Sequence, residues 1–314
     1  MPAAAVVIPT RNRRLSLERA IQSVRSQTLS DWELVVVDDA STDETTVFLG
    51  DLDDPRIRVE RLDEQGERSV ARNRGMALLS APSVLFLDDD DELVPSSLEI
   101  LSQALVRHPS ACAAVGAAIH DVDGVRRRQS FPKRPHVLDV RLELLAGWVG
   151  LGGQSLMRTE HVRDIGGWRD GLSVAEDQEL WLRLCDRGRV AIVPDAVLIH
   201  RPHGLEGDAS DFRDVERGVV AAHLTATSAG DARTRRAAQA REHLRDADIS
   251  FQQGSYRFAL GATIRGIARA PFLLSSPLVG PTIAKGLLNA VVAGALPRSA
   301  ADRLRAARQR RRAR

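Results

Sequence analysis

The chain has 314 residues, of which 43% are hydrophobic and 27% charged, as in ordinary folded proteins. This length suits one large α/β domain with an additional segment. Its two cysteines, Cys112 and Cys185, lack histidine or cysteine neighbours at ligand spacing, which excludes a disulfide framework or zinc site and indicates a reducing compartment. The net charge is +2, but residues 301–314 contain seven arginines and one aspartate, so the rest of the chain is net acidic.

The first 110 residues alternate between short apolar runs and segments with apolar residues at helical spacing. Ser41, followed three residues later by Glu44, has the pattern of a capping box, so a helix should begin there. Strands separated by helices predict a mostly parallel sheet covered on both faces. The predicted strands are 4–8, 32–37, 57–59 and 83–87, and the predicted helices are 17–24, 41–49, 70–79 and 95–106.

The second part of the chain is less regular and then changes character near residue 208. From there strand patterns stop and helix-forming residues dominate, so we place a domain boundary there. Before the boundary we predict strands at 111–120, 190–193 and 196–200, a basic loop or hairpin over 122–135, a strand ending the glycine-rich segment 148–157, and a helix at 175–187. After it we predict helices over 209–270 and an apolar segment over 271–297.

Polar side chains follow each predicted strand of the first half. Thr10 follows the first strand, Asp39 the second, and four consecutive aspartates at 88–91 follow the fourth. Parallel strands place these ends at one edge of the sheet, where such folds bind ligands. A divalent metal would offset the repulsion among the carboxylates, and Mg²⁺ fills its remaining positions with phosphate and water. The alternative for the acidic run is a solvated loop.

Residues 66–75 add a glycine and arginines at the start of a helix, which suits phosphate. The sequence therefore predicts a nucleotide pocket at this edge. It contains no P-loop pattern, and no G-x-G-x-x-G follows a strand.

Together these segments resemble the family 2 inverting glycosyltransferases, over about residues 4–204. Asp89 stands where serine is commoner in the metal motif. The resemblance implies a GT-A fold, a Rossmann-like sheet with helices on both faces, in a catalytic domain over 1–207. Its nucleotide-sugar half would span 1–110 and its acceptor half 111–207. The matching segments are 7–13, 35–43, 71–75 with A-R-N-x-G, 86–91 with the D-x-D motif, 175–183 with the E-D pair, and 200–203.

The resemblance also implies residue roles. Asp177, paired with Glu176, would be the general base, and Asp90 would bind Mn²⁺ or Mg²⁺, helped by His203, with His200 as the neighbouring candidate. Trp168 and Gly153 would border the acceptor. The residues implied for the nucleotide-sugar are Pro9, Thr10, Asn12, Asp39, Arg72, Asp88 and Asp89.

Simpler interpretations stay open for several of these residues. Asp177 could cap its helix. Arg72 could be a solvated helix residue. Trp168 could belong to the core. His203 is an isolated histidine after a strand, so it could lack any functional role.

The implied function is metal-dependent, inverting transfer of a hexosyl group from a nucleotide donor, most simply a UDP-sugar, to a glycan or lipid-linked acceptor. An arginine- and alanine-rich composition favours a bacterial source and cell-envelope polysaccharide synthesis. A sugar nucleotidyltransferase would need a glycine-rich loop after the first strand, and residues 9–12 contain no glycine. A non-catalytic nucleotide-sugar-binding or scaffold protein is a further alternative, opposed by the presence of Asp90 and Asp177.

The C-terminal region, a helical extension over 208–300 followed by the basic tail 301–314, leaves two interpretations open. Apolar residues followed by arginines suit the anionic cytoplasmic face of a membrane. The same residues also suit a helical hairpin packed on the catalytic domain. We expect no signal peptide and no transmembrane helix, and therefore a cytoplasmic protein. Nothing in the remaining sequence favours nucleic-acid binding.

Overall fold

The computed structural model describes residues 1–146, 152–172, 174–201, 209–226, 232–253 and 255–295. Its strands are β1 Ala4–Thr10, β2 Trp32–Asp38, β3 Ile57–Arg61, β4 Ser83–Phe86, β5 Glu92–Leu93, β6 Ala111–Val122, β7 Val125–Arg128, β8 His136–Leu138, β9 Ser155–Arg158 and β10 Arg189–His200. Its helices are α1 Arg14–Arg25, α2 Thr45–Gly50, α3 Arg68–Ala77, α4 Ser97–Arg107, α5 Arg141–Leu145, α6 Thr159–Asp164, α7 Glu176–Leu184, α8 Ala209–Ala226, α9 Ala232–Gln252, α10 Tyr256–Arg269 and α11 Gly280–Ala295. Short 3₁₀ turns occupy Gly152–Gln154 and Pro271–Ser275.

The strands form one sheet in the order β3-β2-β1-β4-β9-β6-β10-β5. The strands β3, β2, β1 and β4 pair in parallel, and so do β6 and β10. Strand β9 lies antiparallel between β4 and β6, so those two strands point the same way. The carboxyl ends of both parallel groups therefore meet at one edge of the sheet, where α/β folds bind ligands.

Alternation along each strand builds two hydrophobic layers. In β1, Val6 and Ile8 pack in the layer that contains apolar residues of α1 and α4. Ala5 and Val7 pack in the opposite layer, which contains apolar residues of α3, α6 and α7. A period of two places neighbouring side chains on opposite faces. The predicted GT-A type of α/β fold, with helices on both faces, is confirmed.

The structure corrects three details of the predicted elements. Helix α2 begins at Thr45, and Ser41 does not cap it, because the Ser41 hydroxyl accepts a hydrogen bond from the backbone N–H of Asn12 at 3.0 Å. The two predicted closing strands form one irregular strand, β10. Four short elements, β5, β8, α5 and α6, were not predicted, since segments of two to six residues carry little periodicity.

The C-terminal helices pack against the sheet domain. Val219 and Ala237 join the same hydrophobic layer as Leu180 of α7. In addition, Arg241 of α9 donates to Oε1 of Gln178 at 3.3 Å, and Gln178 is the residue after Asp177. Part of the C-terminal region thus packs against α7, which is the arrangement of the packed-hairpin interpretation.

Another part of the C-terminal region remains exposed. Leu274, Leu288, Val291 and Val292 are between 41% and 62% accessible. Among the described helices, none combines the length and the apolar character needed to cross a bilayer. The basic tail, at 301–314, lies outside the described residues.

Close packing of α3 on the sheet depends on Gly75. A β-carbon there would lie 2.5 Å from Cγ1 of Val7 and 3.2 Å from Cγ2 of Val37. We expect Gly75→Ala to destabilise the fold by about 1–3 kcal/mol, because overpacking exceeds the gain of about 0.5–1 kcal/mol that alanine brings to a helix. Urea unfolding would measure this. Gly50→Ala, with nothing within 4 Å, is the control. Equal stability of the two variants would contradict the packing explanation.

Candidate active site

A cleft of about 480 Å³ lies at the carboxyl edge of the sheet. The loops after β1, β2 and β4 form its walls, and the segment leading into α3 closes one side. Of the residues predicted for nucleotide-sugar and metal, seven line it: Pro9, Thr10, Asn12, Asp39, Asp88, Asp89 and Asp90.

The loops after β1 and β2 hold each other in place. The side-chain Oδ1 of Asn12 accepts a hydrogen bond from the backbone N–H of Thr42 at 2.7 Å. Oδ1 of Asp39 accepts one from the backbone N–H of Gly66 at 2.6 Å. Asn12 and Ala40 both adopt positive φ values of 53°, a backbone conformation that non-glycine residues adopt only when surrounding contacts hold it. The cleft wall is therefore preformed.

The acidic run is not a solvated loop, because Asp89 and Asp91 are only 8% and 3% exposed. Asp89 accepts a hydrogen bond from the Thr10 hydroxyl at 2.7 Å. Burial, helped by the charges of Asp90 and Asp88, raises the pKa of Asp89 to about 6, although Thr10 and Arg13 oppose the shift. Arg13 donates to Asp90 at 2.5 Å.

Asp91 joins the acidic run to the end of β10. Its carboxylate lies 3.0 Å from Nδ1 of His200 and accepts the backbone N–H of Arg201 at 2.9 Å. Burial raises the pKa of Asp91. Burial lowers the pKa of His200, but the hydrogen bond and charge of Asp91 outweigh it and raise that pKa overall. His200 is therefore a partner of Asp91, while His203 lies outside the described residues.

Arg72 joins the two halves of the domain. It is 2% exposed, donates from Nη2 to Asp88 at 2.9 Å, and donates from Nη1 to Glu176 at 3.2 Å. Its guanidinium lies 4.2 Å from the centre of the Trp168 ring. Arg72 is neither solvated nor part of the cleft lining. Direct contact of Arg72 with a nucleotide-sugar stays a prediction, and in this structure the guanidinium binds two carboxylates.

Charges around Arg72 set the protonation of the site. Burial lowers the pKa of Arg72, but the carboxylates of Asp88, Asp177 and Glu176 outweigh it and raise that pKa overall. Burial raises the pKa of Asp88, but Arg72 outweighs it and lowers that pKa. Asp88 keeps 44% of its side chain exposed and thus presents a charged carboxylate to the cleft.

Asp177 lies in the first turn of α7, and the residue at the capping position is Ala175, with φ of 61°. Asp177 is thus not the N-cap. Burial raises the pKa of Asp177 to about 7, with Glu176 and Asp88 adding to the shift and Arg72 opposing it. A carboxylate with this pKa can take up a proton near neutral pH, which suits a general base.

Trp168 and Gly153 are buried in this structure, and their contact with an acceptor stays a prediction. Trp168 is 2% exposed, and its ring packs edge-on against Phe86 at 5.0 Å and carries Arg72 on its face. A β-carbon at Gly153 would lie 2.6 Å from Cδ1 of Leu198. Both residues support the cleft from within the core.

Asn73 has a structural role that the sequence alone did not assign. Its Nδ2 donates to the backbone oxygen of Trp168, and its Oδ1 accepts the backbone N–H of Trp168, each at 2.8 Å. The preceding Gly167 has φ of 69°, and a β-carbon there would lie 2.5 Å from Oδ1 of Asn73. The only sequence feature that could have indicated this role is the position of Asn73 in the A-R-N-x-G segment.

The donor set fits a divalent metal that is shared with a substrate. Among the described residues, no group of three or more histidine, cysteine or acidic side chains could hold a metal ion. Mg²⁺ needs only one or two protein carboxylates when phosphate oxygens supply other ligands. Asp90 and the exposed Asp88 border the cleft and meet this requirement. Arg13, at 2.5 Å from Asp90, would have to share that carboxylate.

The raised pKa of Asp177 predicts a pH-dependent stability effect. The folded chain holds this proton up to a pKa of about 7, against an ordinary value of 3.8, so the unfolding free energy falls as pH rises between about 4 and 7. We expect Asp177→Asn to raise it by about 1–2 kcal/mol at pH 8, because partial exposure moderates the cost of the charge, and by nothing at pH 4. Urea unfolding at both pH values would measure this.

The control for this experiment is Asp170→Asn, which removes one exposed negative charge from the preceding loop. A gain in stability for Asp177→Asn that is as large at pH 4 as at pH 8 would contradict the assignment.

Loss of the Asn73 amide should loosen the Trp168 loop. We expect Asn73→Ala to lower the unfolding free energy by about 1–3 kcal/mol, because two backbone groups of Trp168 lose their partner. Urea unfolding would measure the change, with Gln22→Ala, which removes an exposed amide from α1, as the control. Equal stability of the two variants would show that the hydrogen bonds do not hold the loop.

The sequence of this chain is similar to those of known glycosyltransferases. The model of the family described as Glycosyl transferase family 2 matches residues 5–166. The GalNAc(5)-diNAcBac-PP-undecaprenol beta-1,3-glucosyltransferase of Campylobacter jejuni is 40% identical over 107 residues, 33% of this chain and 34% of that protein. The putative teichuronic acid biosynthesis glycosyltransferase TuaG of Bacillus subtilis is 33% identical over 125 residues, 39% of this chain and 50% of that protein. This chain thus spans about a third to a half of these relatives.

A solved structure shares the fold over most of its length. The S. aureus TarS 1–349 structure in complex with UDP-GlcNAc superposes with a TM-score of 0.67 at 18% identity, covering 93% of this chain and 90% of that one. The structural likeness concerns the fold, and the family model covers more than half of the chain. The chain belongs to glycosyl transferase family 2.

Proposed function

We propose that this chain transfers a sugar from a nucleoside diphosphate donor, most simply a UDP-sugar, to a hydroxyl of a glycan or lipid-linked acceptor, with inversion at the anomeric carbon. The observation that carries the proposal is the bridge through Arg72. It joins the cleft carboxylate Asp88 to the helix that bears Asp177, whose pKa is about 7. A general base is thereby held next to a polar cleft of about 480 Å³, which has room for a nucleotide-sugar.

Each group has a defined part in the proposed reaction. The Asp177 carboxylate takes the proton of the acceptor hydroxyl while that oxygen bonds to the anomeric carbon. The bond from this carbon to the donor diphosphate breaks, and the electron pair leaves with the nucleoside diphosphate. Attack opposite the leaving group inverts the carbon. General-base assistance of this kind contributes about 10²–10⁴-fold in rate.

Different residues of the cleft would contact different parts of the donor. Asp39 lies on the wall where a base or ribose would sit, and Asp88 offers a charged carboxylate to ribose hydroxyls. Asp90 would hold Mn²⁺ or Mg²⁺ together with the diphosphate. When bound, such an ion offsets the negative charge that develops on the leaving group. Arg13 and Arg68 border the same cleft and would attract phosphate oxygens.

The relatives support the direction of this proposal. The Campylobacter relative is a glucosyltransferase named for an undecaprenol-linked glycan, TuaG is named for teichuronic acid biosynthesis, and the TarS structure is a complex with UDP-GlcNAc. We infer a role in bacterial cell-envelope polysaccharide synthesis, in the cytoplasm. The exposed apolar side chains of α11 would rest peripherally on the membrane that carries a lipid-linked acceptor.

Donor binding can be tested by thermal unfolding with UDP-, GDP- and dTDP-sugars, each with and without Mn²⁺. We expect one nucleotide class to raise Tm in a metal-dependent way, since a ligand at a hundredfold excess over Kd stabilises the native state by about 2.7 kcal/mol. Asp90→Ala should abolish the metal dependence. A Tm that no nucleotide sugar changes would contradict the donor site.

Turnover separates an enzyme from a scaffold. Hydrolysis of the bound donor, measured as released nucleoside diphosphate, should fall about 10²–10⁴-fold in Asp177→Asn, because the base is lost. Asp170→Asn is the matched control. Donor binding without any hydrolysis would favour the scaffold, and pyrophosphate release from a nucleoside triphosphate and a sugar phosphate would favour the nucleotidyltransferase.

A further inference from the structure

A basic hairpin stands beside the acidic run at the carboxyl edge of the sheet. Met157 of β9 pairs with Val84 of β4 and with Ala113 of β6, and both pairings are antiparallel. Strand β6 therefore runs in the same direction as β4 and ends at the same edge of the sheet. Beyond that edge it turns into β7.

The hairpin formed by β6 and β7 is anchored to the end of β10 and, through it, to the acidic run. His120 of β6 packs edge-on against His200 with ring centres 5.4 Å apart, and His200 in turn bonds Asp91. Asp121 accepts a hydrogen bond from Arg201 at 3.3 Å. The base of the hairpin thus lies next to the acidic run, on the side of β10 and away from β1 and β2.

A tight turn and two hydrogen bonds hold the hairpin, although all four residues of β7 are exposed. Asp123 and Gly124 have φ values of 51° and 78°, the two positive values of a tight two-residue hairpin turn. After β7, the backbone N–H of Gln129 donates to the oxygen of Ala118 at 2.8 Å, and the Gln129 side chain accepts the N–H of Ala118 at 3.1 Å. The turn and these two hydrogen bonds hold β7 in one exposed arrangement.

Two of the three arginines of β7 are used within the structure. Arg126 pairs with Asp121 at 3.1 Å, and Arg128 donates to the backbone oxygen of Pro194. Arg127 has no hydrogen-bond or ion-pair partner among the described residues. It lies directly opposite His120 in the ladder, so both side chains share one face of the hairpin.

We propose that the hairpin formed by β6 and β7 binds a phosphate or diphosphate group of the acceptor, through Arg127. This inference rests on the proposed function, since it assigns the acceptor class for that reaction. A guanidinium matches phosphate oxygens with two parallel hydrogen bonds. In the proposed reaction the donor diphosphate would bind in the cleft that Arg13 and Arg68 border. A cation on the far side of the acidic run therefore serves a second anionic group, which the acceptor supplies.

Binding of a soluble acceptor analogue tests the proposal. The full chain, saturated with UDP and Mn²⁺ to fill the donor cleft, is titrated calorimetrically with decyl diphosphate and with neutral decyl glucoside. We expect the diphosphate to bind at least about tenfold more tightly. Arg127→Ala should weaken diphosphate binding about tenfold or more, and Arg127→Lys should weaken it less because the charge remains.

Arg58→Ala is the matched control, since it removes an exposed strand arginine at the opposite edge of the sheet. Its affinity for decyl diphosphate should equal that of the unmodified chain. Equal affinity of the unmodified chain for the diphosphate and the neutral probe would overturn the proposal. So would equal weakening of diphosphate binding by Arg58→Ala and Arg127→Ala.

Vesicles distinguish an acceptor phosphate from a membrane surface. If Arg127→Ala weakens binding to phosphatidylglycerol vesicles but leaves decyl diphosphate binding unchanged, the hairpin contacts lipid headgroups and the proposal fails. Donor hydrolysis by the unmodified chain distinguishes failure of the hairpin site from failure of the proposed sugar transfer. Hydrolysis without a preference for the diphosphate probe refutes the hairpin site alone, and a preference without hydrolysis refutes the proposed reaction alone.

Discussion

The buried guanidinium of Arg72 is the interaction on which the rest of the site depends. It donates hydrogen bonds to Asp88 at the end of β4 and to Glu176 at the start of α7, and it lies on the face of the Trp168 ring. A buried cation without its carboxylates would be strongly unfavourable, and so would the carboxylates without the cation. The strand end and the helix that carries Asp177 are therefore held in one arrangement.

Several features at a distance serve this arrangement. Gly75 lets α3 approach β1 and β2 closely and so brings Arg72 beneath the cleft. Asn73, the next residue after Arg72, fixes the backbone of Trp168 under the guanidinium. From the other side, Arg241 of α9 holds Gln178 of α7. The C-terminal helices are thus part of the scaffold of the site, because they support the helix that bears the proposed base.

The same constraint gives chemically identical carboxylates different properties. Asp88 is half-exposed and its pKa is lowered by Arg72, so it stays charged. Asp177 is close to the same arginine, but burial dominates and raises its pKa to about 7. Pairs of acids whose environments separate their pKa values are typical of sites that both bind charge and move protons. The position of each side chain relative to one guanidinium decides which task it can perform.

The sequence by itself determined the fold class, the family and most of the cleft. Apolar runs ending in Thr10, Asp39 and the aspartates at 88–91 indicate strands, and the parallel direction of these strands brings their carboxyl ends to one edge of the sheet. Only the tertiary structure decided what Arg72, Trp168 and the C-terminal helices do. Their roles depend on contacts between segments about 100 residues apart in the chain, such as Arg72 with Glu176, and local patterns do not encode such contacts.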